Sequence, residues 1–161
     1  LDFHANAQAQ WNKVPFQMLI MPPINLSYFE QEETVSMMKD WEFLNDRQVF
    51  WALSWDMNGK LLNRIPLIKK LKWREWLAIK GVYGHLTDKN NPFLEKNKND
   101  DTIFLFPKGS DVMGNTPYWE CVVGVHNIFK FFAVEYVRRL TYINRPGIHK
   151  GGVRFNFMMS F

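Results

Sequence analysis

The chain has 161 residues, a formal net charge of +4 and 16% aromatic residues. No stretch approaches the roughly 18 consecutive apolar residues of a transmembrane helix. The basic residues lack the interleaved pattern of nucleic-acid binding, so no nucleic-acid partner is expected. Cys121 is the single cysteine, which excludes an internal disulfide and a cysteine-rich metal site. A hydrophobic fraction of 47% with so many aromatic residues is typical of a membrane β-barrel, which combines a polar interior with aromatic girdles.

Alternation of apolar and polar residues is the main pattern along the chain. Residues 3–12 alternate strictly, with Phe3 and Trp11 in an apolar set and His4 and Asn12 in a polar set. Because successive side chains of a strand point to opposite faces, this pattern predicts a strand with one polar face. The pattern recurs and predicts an all-β fold of six strands, at 3–12, 48–58, 75–86, 118–126, 131–143 and 152–161.

The first connection, residues 13–47, is long, contains three prolines and is acidic after Ser27. Connections of this length in compact domains are usually functional. Within it, residues 34–44 predict either a short helix or an extended piece that faces the barrel interior. The next connection contains a basic segment without acids, residues 60–74, in which Pro66 begins either a strand extension or one helical turn.

Along the chain, the lengths of the five connections run long, medium, long, short and medium. Residues 87–117 form a second long connection, and its apolar run at 102–106 predicts a loop hairpin or a contact patch. A tight turn at 127–130 and a connection at 144–151 follow. Long connections at one end of the sheet and shorter ones at the other are typical of outer-membrane barrels. A soluble sandwich shows the same alternation within single strands but does not predict this asymmetry.

We therefore expect a transmembrane antiparallel β-barrel in contact with outer-membrane lipid, in a Gram-negative bacterium. Six strands do not close such a barrel, because the smallest has about eight. An open edge in lipid would leave backbone groups without hydrogen bonds. Residues 1–161 are therefore expected to be the C-terminal portion of one barrel domain, with its N-terminal part outside this sequence.

The final strand resembles the assembly signal that marks the last strand of outer-membrane barrels, in which a glycine precedes alternating apolar residues. The strand also ends on an aromatic residue. Gly152, Phe155 and Phe157 match the pattern, and Phe161 ends the sequence. A glycine followed by alternating apolar residues is also frequent by chance in any alternating strand. The pattern therefore supports the barrel without deciding for it.

Charged and polar residues of the last three strands fall on the predicted interior face. They are Glu120, Glu135, Arg139, Arg154 and Asn156. Two interpretations are open: a ladder of cross-strand ion pairs that stiffens the wall, or a polar docking site for an inward-folded loop or a plug.

Aromatic residues in the apolar set of the strands, which points away from the predicted interior, predict a girdle that faces lipid. They are Trp11, Trp51, Trp55, Trp119 and Tyr142. Arg138 also falls on that apolar set, so it is expected near a rim, in a bulge or against a partner. A charge facing lipid costs about 2–4 kcal/mol at the membrane midplane and little near the interface.

Several segments together resemble one family of bacterial outer-membrane proteins. The most specific are Asn63-Arg-Ile-Pro-Leu67 and Asn127-Ile-Phe-Lys130; further ones are Lys13-Val-Pro-Phe16, Leu44-Asn-Asp-Arg47, Arg74-Glu75 and Arg139-Leu-Thr-Tyr142. The resembled family consists of Bacteroidota outer-membrane proteins of unknown function, in which a carboxypeptidase-regulatory-like domain precedes the barrel. That family in turn resembles the bacterial surface antigen superfamily of barrel-assembly and translocation proteins.

The resemblance implies that the connection 13–47 folds into the barrel interior. This chain departs from the superfamily, because the connection lacks the Val-Arg-Gly-Phe/Tyr motif. Asp46 and Arg47 are the candidate substitutes for its contact with the wall. The expected partners are outer-membrane lipid and other outer-membrane, periplasmic or lipoprotein subunits.

No pattern in the chain indicates catalysis. The four histidines are scattered, and no two have the spacing of metal ligands. We therefore expect no enzyme activity, metal or cofactor in this segment. The leading hypothesis is a barrel that assists protein assembly or translocation, or that acts within a large envelope complex. The alternatives are a passive or plug-gated transporter and a scaffold subunit.

Overall fold

The computed structural model describes residues 1–100 and 105–157. Its strands form one antiparallel sheet in which each strand pairs with the next one along the chain. The strands are β1 (Asp2–Ala9), β2 (Arg47–Asp56), β3 (Arg74–His85), β4 (Tyr118–Ile128), β5 (Phe132–Arg139) and β6 (Gly151–Phe157). The predicted all-β class is confirmed.

The largest differences from the predicted strand ends are in the first, fourth and fifth strands. The first strand ends at Ala9 instead of 12, so Trp11 lies beyond it. The fifth strand ends at Arg139 instead of 143, and Tyr142 has a left-handed backbone with φ of 55°. That conformation is incompatible with an extended strand. The fourth strand continues to Ile128, with a register shift after Val125. Residues 158–161, the predicted end of the last strand, lie outside the described residues.

The connections contain little regular structure. A short α-helix, Pro66–Lys69, begins at Pro66, in agreement with one of the two predictions for this segment. Residues 34–44 are irregular and not helical. Within residues 1–100 and 105–157, none of the helices has the length and apolar character needed to cross a membrane.

The two faces of the sheet differ sharply in burial. One face, called here the covered face, is buried in the central strands and carries Gln48, Phe50, Ala52, Trp76, Ala78, Lys80, Val82, Tyr118, Glu120, Val122, His126, Ala133, Glu135, Val137 and Arg139. The other, called here the open face, is half-buried or exposed and is apolar along the middle of the strands, with Arg47, Glu75, His85 and Arg138 near the strand ends. It carries Phe3, Val49, Trp51, Leu53, Trp55, Leu77, Ile79, Trp119, Cys121, Val123, Val125, Val134, Tyr136, Val153, Phe155 and Phe157.

Residues 13–46, called here the docked loop, lie on the covered face and form most of the core with it. Val35 and Phe43 of this loop are fully buried and pack with Phe50 of β2 and Val82 of β3. A second cluster joins Met37 of the loop to apolar side chains of β3, β4 and β5. The apolar core therefore lies between the sheet and the loop, and the open face contributes nothing to it.

A glycine lets the docked loop approach β3 closely. A Cβ atom built on Gly84 would lie 2.2 Å from the Asn45 side chain. The Asn45 amide instead fills this space and donates a hydrogen bond to Gln48, with Nδ2 to Oε1 at 3.1 Å. The backbone of Asn45 also pairs with that of Ile20 across the loop. The end of the loop is thereby held against the sheet.

The loop also reaches the outer edge of β6. The Phe155 N–H donates to the Tyr28 carbonyl, and the Glu30 N–H donates to the Phe155 carbonyl, both at 2.8 Å. Residues 28–30 thus form a short parallel bridge with the last strand. At the other end of the sheet, all residues of β1 are exposed.

Candidate functional site

The candidate site is the polar contact between the docked loop and the covered face. Three buried charged side chains of the sheet, one each from β3, β4 and β5, bind the loop. They are Lys80, Glu120 and Arg139, which are 1%, 0% and 1% exposed. Buried charges are costly unless they are paired and hydrogen-bonded. Their partners therefore decide what this surface does.

Arg139 binds Glu42 of the loop through both oxygens of the carboxylate. Nη1 donates to Oε2 at 2.9 Å and Nη2 donates to Oε1 at 2.6 Å. The remaining donors of Arg139 are directed at backbone carbonyls, Met37 O at 3.2 Å and Thr141 O at 2.9 Å. Arg145 adds a second cation to Glu42, at 3.2 Å. This bidentate geometry fixes the loop in orientation as well as in position.

Glu120 binds the backbone of the docked loop. Its carboxylate accepts hydrogen bonds from the Ser36 N–H at 2.9 Å and the Met37 N–H at 3.1 Å. The Tyr118 hydroxyl donates to the same carboxylate at 2.9 Å. An anionic acceptor with three donors is well satisfied in a buried place. Glu120 therefore recognises the path of the loop backbone, independently of the loop side chains.

Lys80 forms a third anchor, deep under the loop. Its ammonium pairs with Glu30, and the two side chains are 1% and 0% exposed. It also donates to the carbonyls of Gln31 at 3.0 Å and Thr34 at 2.9 Å. All three donors of the ammonium are therefore used by the loop. Glu30 in turn accepts a hydrogen bond from the Ser36 hydroxyl at 3.0 Å.

A further polar group on this face lies nearer the short connections. His126 Nε2 is 2.7 Å from Glu135 Oε1, and its ring stacks on Trp76 at 5.2 Å. Glu135 lies opposite Arg154 in the register of β5 and β6. Arg154 instead donates to the Ser36 carbonyl of the loop at 2.9 Å. The pair of His126 and Glu135 is a contact within the sheet, while Arg154 binds the loop.

These contacts bear on the two interpretations left open by the sequence. Glu120 and Arg139 lie opposite each other in the register of β4 and β5. Both direct hydrogen bonds at the docked loop, as Arg154 does. Asn156 lies on the same face of β6, one residue from the open-face position Phe155. The geometry is that of a docking site for a loop, with His126 and Glu135 as the cross-strand contact.

Asp46 and Arg47 lie apart from these anchors. The Asp46 carboxylate is buried and accepts hydrogen bonds from the Thr87 N–H and the Asn90 side chain, both at 3.0 Å. It therefore ties the second long connection to the start of β2. Arg47 is exposed and lies over the Trp11 ring, 4.8 Å from its centroid.

The predicted girdle residues are divided between the two sides of the sheet. Trp51 and Trp119 contact each other edge-on at 5.0 Å on the open face, and Trp55 lies near the short-connection end. Trp11 is 67% exposed. Tyr142 differs: its ring packs on buried Phe43 at 5.0 Å, on the covered side. It does so because β5 ends before it and the backbone turns there.

The residues of the predicted assembly signal alternate across β6. Gly152 lies on the covered side, where a Cβ atom would approach Met37 of the docked loop to 3.2 Å. Phe155 and Phe157 lie on the open side; the Phe155 ring stacks on Phe132 of the neighbouring strand, and the Phe157 ring contacts Phe132 at a tilt of 55°. Phe161 lies outside the described residues.

Sequence reasoning did not single out the loop partners Glu30 and Glu42 or the strand residue Lys80. Both acids lie in an irregular segment, where no periodicity indicates which side chains turn inward. The available signals were the excess of acids after Ser27 and a lysine in the middle of a strand. Within the described ranges, no three His, Cys, Asp or Glu side chains are placed to share a metal ion.

Glu42 makes the docked loop sensitive to acid. Burial opposes its ionisation, but the hydrogen bonds from Arg139 and the Lys39 N–H, with the charges of Arg139 and Arg145, lower the pKa of Glu42 below 4.5. A carboxyl whose folded pKa is lowered adds stability above its unfolded pKa, and loses it as the pH falls through the folded pKa.

We therefore expect the loop to be most stably docked at neutral pH and to lose stability progressively as the pH falls below about 4.5, the ordinary pKa of the carboxyl, towards the lower pKa of the docked state. Hydrogen exchange of the loop amides, corrected for the intrinsic effect of pH, measures this opening. The Glu42→Gln variant should open more easily at pH 7 and lose part of the pH dependence. An unchanged pH profile in this variant would contradict the assignment.

A scan against models of protein families, and searches of curated proteins and of solved structures, found no match to this chain.

Proposed function

We propose that the chain forms part of the wall of an outer-membrane β-barrel whose interior is occupied by the docked loop, and that the protein assists assembly or translocation of proteins in that membrane. The observation that carries this proposal is the opposite character of the two sheet faces. The face with buried ion pairs is covered by the chain itself, whereas the wholly apolar centre of the other face is uncovered.

The open face has the composition of a lipid contact. Val123, at its centre, is 55% exposed, and Phe3 and Phe157 at its two sides are 65% and 58% exposed. Soluble monomers rarely leave a continuous apolar surface of this extent uncovered. Arg138 is the charged residue of the open face in β5, one residue before the strand ends. A charge at that height lies near the membrane interface, where its cost is small.

The lengths of the connections support an orientation in the membrane. The two longest connections, 10–46 and 86–117, leave one end of the sheet together with the shorter 140–150, and 57–73 and 129–131 leave the other end. In outer-membrane barrels the long connections are extracellular and the short ones periplasmic. In the barrel, the exposed strand β1 would pair with a further strand, since a free edge in lipid leaves backbone groups unpaired.

The docked loop supports a role in assembly or translocation over a passive pore. Lys80, Glu120 and Arg139 use most of their donors and acceptors on the loop, so they are not free to line a water-filled path. The resemblance to the barrel-assembly superfamily also implies a folded-in loop at this connection. Depletion of the full-length protein followed by profiling of the outer membrane tests the role. We expect several other barrel proteins to decline; an unchanged protein inventory would contradict it.

One observation favours plug-gated transport as a second candidate. A cavity of about 310 Å³ lies beside the loop, between its Glu33 and the polar side chains of β1 and β2. His4, Asn6, Gln8 and Gln48 supply hydrogen-bonding groups to it. Conductance of the full-length barrel in a planar bilayer separates the candidates. The assembly role predicts a closed barrel, whereas solute-dependent opening supports transport.

A further inference from the structure

The basic segment, residues 60–74, has a composition unlike the rest of the chain. It contains six basic residues and no acid, so its formal charge is +6. The whole chain carries +4, and the remaining residues therefore sum to 4 − 6 = −2. The basic residues are Lys60, Arg64, Lys69, Lys70, Lys72 and Arg74. The positive charge of the protein is thus concentrated in one connection, between β2 and β3.

The same segment exposes large apolar side chains. Leu61, Ile65, Leu67 and Leu71 are 53%, 47%, 79% and 51% exposed. No residue between 60 and 74 is buried. The segment nevertheless has defined structure, with a 3-10 turn and a short α-helix, Pro66–Lys69. An ordered segment that presents leucines and lysines together has the composition of a membrane-surface element.

Hydrogen bonds fix the basic segment to the sheet. The Leu61 N–H donates to the Glu75 carboxylate at 3.0 Å, next to the start of β3. The Asn127 side chain of β4 donates to the Lys72 carbonyl at 2.7 Å. The segment is therefore held at the short-connection end of the sheet, in a fixed position relative to the strand ends.

The position continues the open face. The ammonium of Lys60 lies 5.7 Å from the centroid of the Trp55 ring, which belongs to that face. The neighbouring short turn has the same character: Phe129 and Phe131 are 80% and 49% exposed and flank Lys130. Apolar and basic side chains thus meet along the border of the apolar surface. Anionic lipid headgroups lie at this height when the open face contacts acyl chains.

We infer that the basic segment is an interfacial anchor that binds the phosphate groups of anionic phospholipids, with its exposed leucines inserted at the border of the acyl region. The inference rests on the proposed membrane barrel and adds a lipid preference to it. Charge complementarity selects the occupant: six basic side chains, with the Glu75 carboxylate bound to the segment, leave a net positive surface next to an apolar one, which fits an anionic membrane. The leucines and the continuity with the open face favour lipid over a nucleic acid or an acidic protein.

The test uses the full-length protein in vesicles of phosphatidylcholine, with or without phosphatidylglycerol. An environment-sensitive fluorophore is attached to Leu67→Cys in a Cys121→Ser background. With phosphatidylglycerol, the emission should shift to the blue, and acrylamide quenching should fall by about threefold as the probe leaves water. High salt should reverse the shift, because it shortens the range of charge interactions.

Two variants that each remove three lysines distinguish lipid binding by this segment from a general effect of the protein's positive charge. The triple change Lys69→Gln, Lys70→Gln and Lys72→Gln should remove the response to phosphatidylglycerol, since it removes half of the basic residues that attract the segment to an anionic surface. A second triple change at the opposite end of the sheet should leave it intact. It consists of Lys96→Gln, Lys98→Gln and Lys108→Gln.

Resistance to alkaline carbonate extraction tests independently whether the protein is integral to the membrane, as the barrel proposal requires. If the protein resists extraction but the Leu67 probe stays in water in both vesicles, the anchor is refuted and the barrel stands. If carbonate removes the protein, the barrel is refuted. In a protein that resists extraction, a salt-sensitive blue shift that needs phosphatidylglycerol supports the anchor. Equal responses of the two triple variants would overturn the assignment to residues 60–74.

Discussion

Replacing Arg139 with methionine is expected to destabilise the docked loop by about 3–5 kcal/mol, because a buried carboxylate loses its main partner. The wild-type guanidinium is buried and binds both oxygens of Glu42, at 2.9 and 2.6 Å. Methionine preserves much of the side-chain volume but supplies no donor. Arg145 remains within 3.2 Å of Glu42 and offsets only part of the loss.

The adjacent arginine provides the matched control for this change. Arg138 lies on the open face and is exposed, so Arg138→Met removes the same charge without touching the loop. Hydrogen exchange of the loop amides gives the free energy of opening in both variants. We expect a large decrease for Arg139→Met and a small change for Arg138→Met. Equal values for the two variants would mean that the bidentate pair does not hold the loop.

Replacing Lys80 with methionine should have a similarly large effect, of about 3–5 kcal/mol, since Glu30 would be left buried and unpaired. The double variant, Lys80→Met with Glu30→Met, should recover part of this loss. Removal of both partners of a buried ion pair is often close to neutral when the replacements pack well. The carbonyls of Gln31 and Thr34 would still lose their donor, so the recovery should be incomplete.

A double-mutant cycle measures this coupling. Urea unfolding of the protein in detergent micelles gives the free energy of unfolding for the wild type, each single variant and the double variant. We expect a coupling energy of about 2 kcal/mol or more between Lys80 and Glu30, in the range of residues in direct contact. Additive effects of the two single changes would show that the pair acts through general packing.

The strands were predictable because their evidence is local. Alternation over eight to twelve residues identifies a strand and sorts its side chains between two faces. It correctly placed Glu120 and Arg139 on one face and Val123 on the other. The strand ends were less certain, because they depend on backbone conformations such as the left-handed Tyr142, which no periodicity reports.

The partners in the candidate site were not predictable in the same way. Ser36 is separated from Glu120 by 84 positions, and Glu42 from Arg139 by 97. The docked loop has no regular period, so the sequence does not indicate which of its acids turn inward. Its length and acidity predicted a functional segment. The fold was needed to show that Glu30 and Glu42 are the residues that meet the cations of the sheet.

The most direct test of the central claim measures what contacts the open face in the native membrane. A spin label at Val123→Cys, in a Cys121→Ser background, reports collisions with oxygen, which concentrates in lipid, and with a water-soluble nickel chelate. The account predicts high oxygen accessibility and low nickel accessibility for the full-length protein in outer-membrane vesicles. High nickel accessibility would place the open face in water, and low accessibility to both reagents would place it against protein; either result would contradict the membrane-barrel proposal.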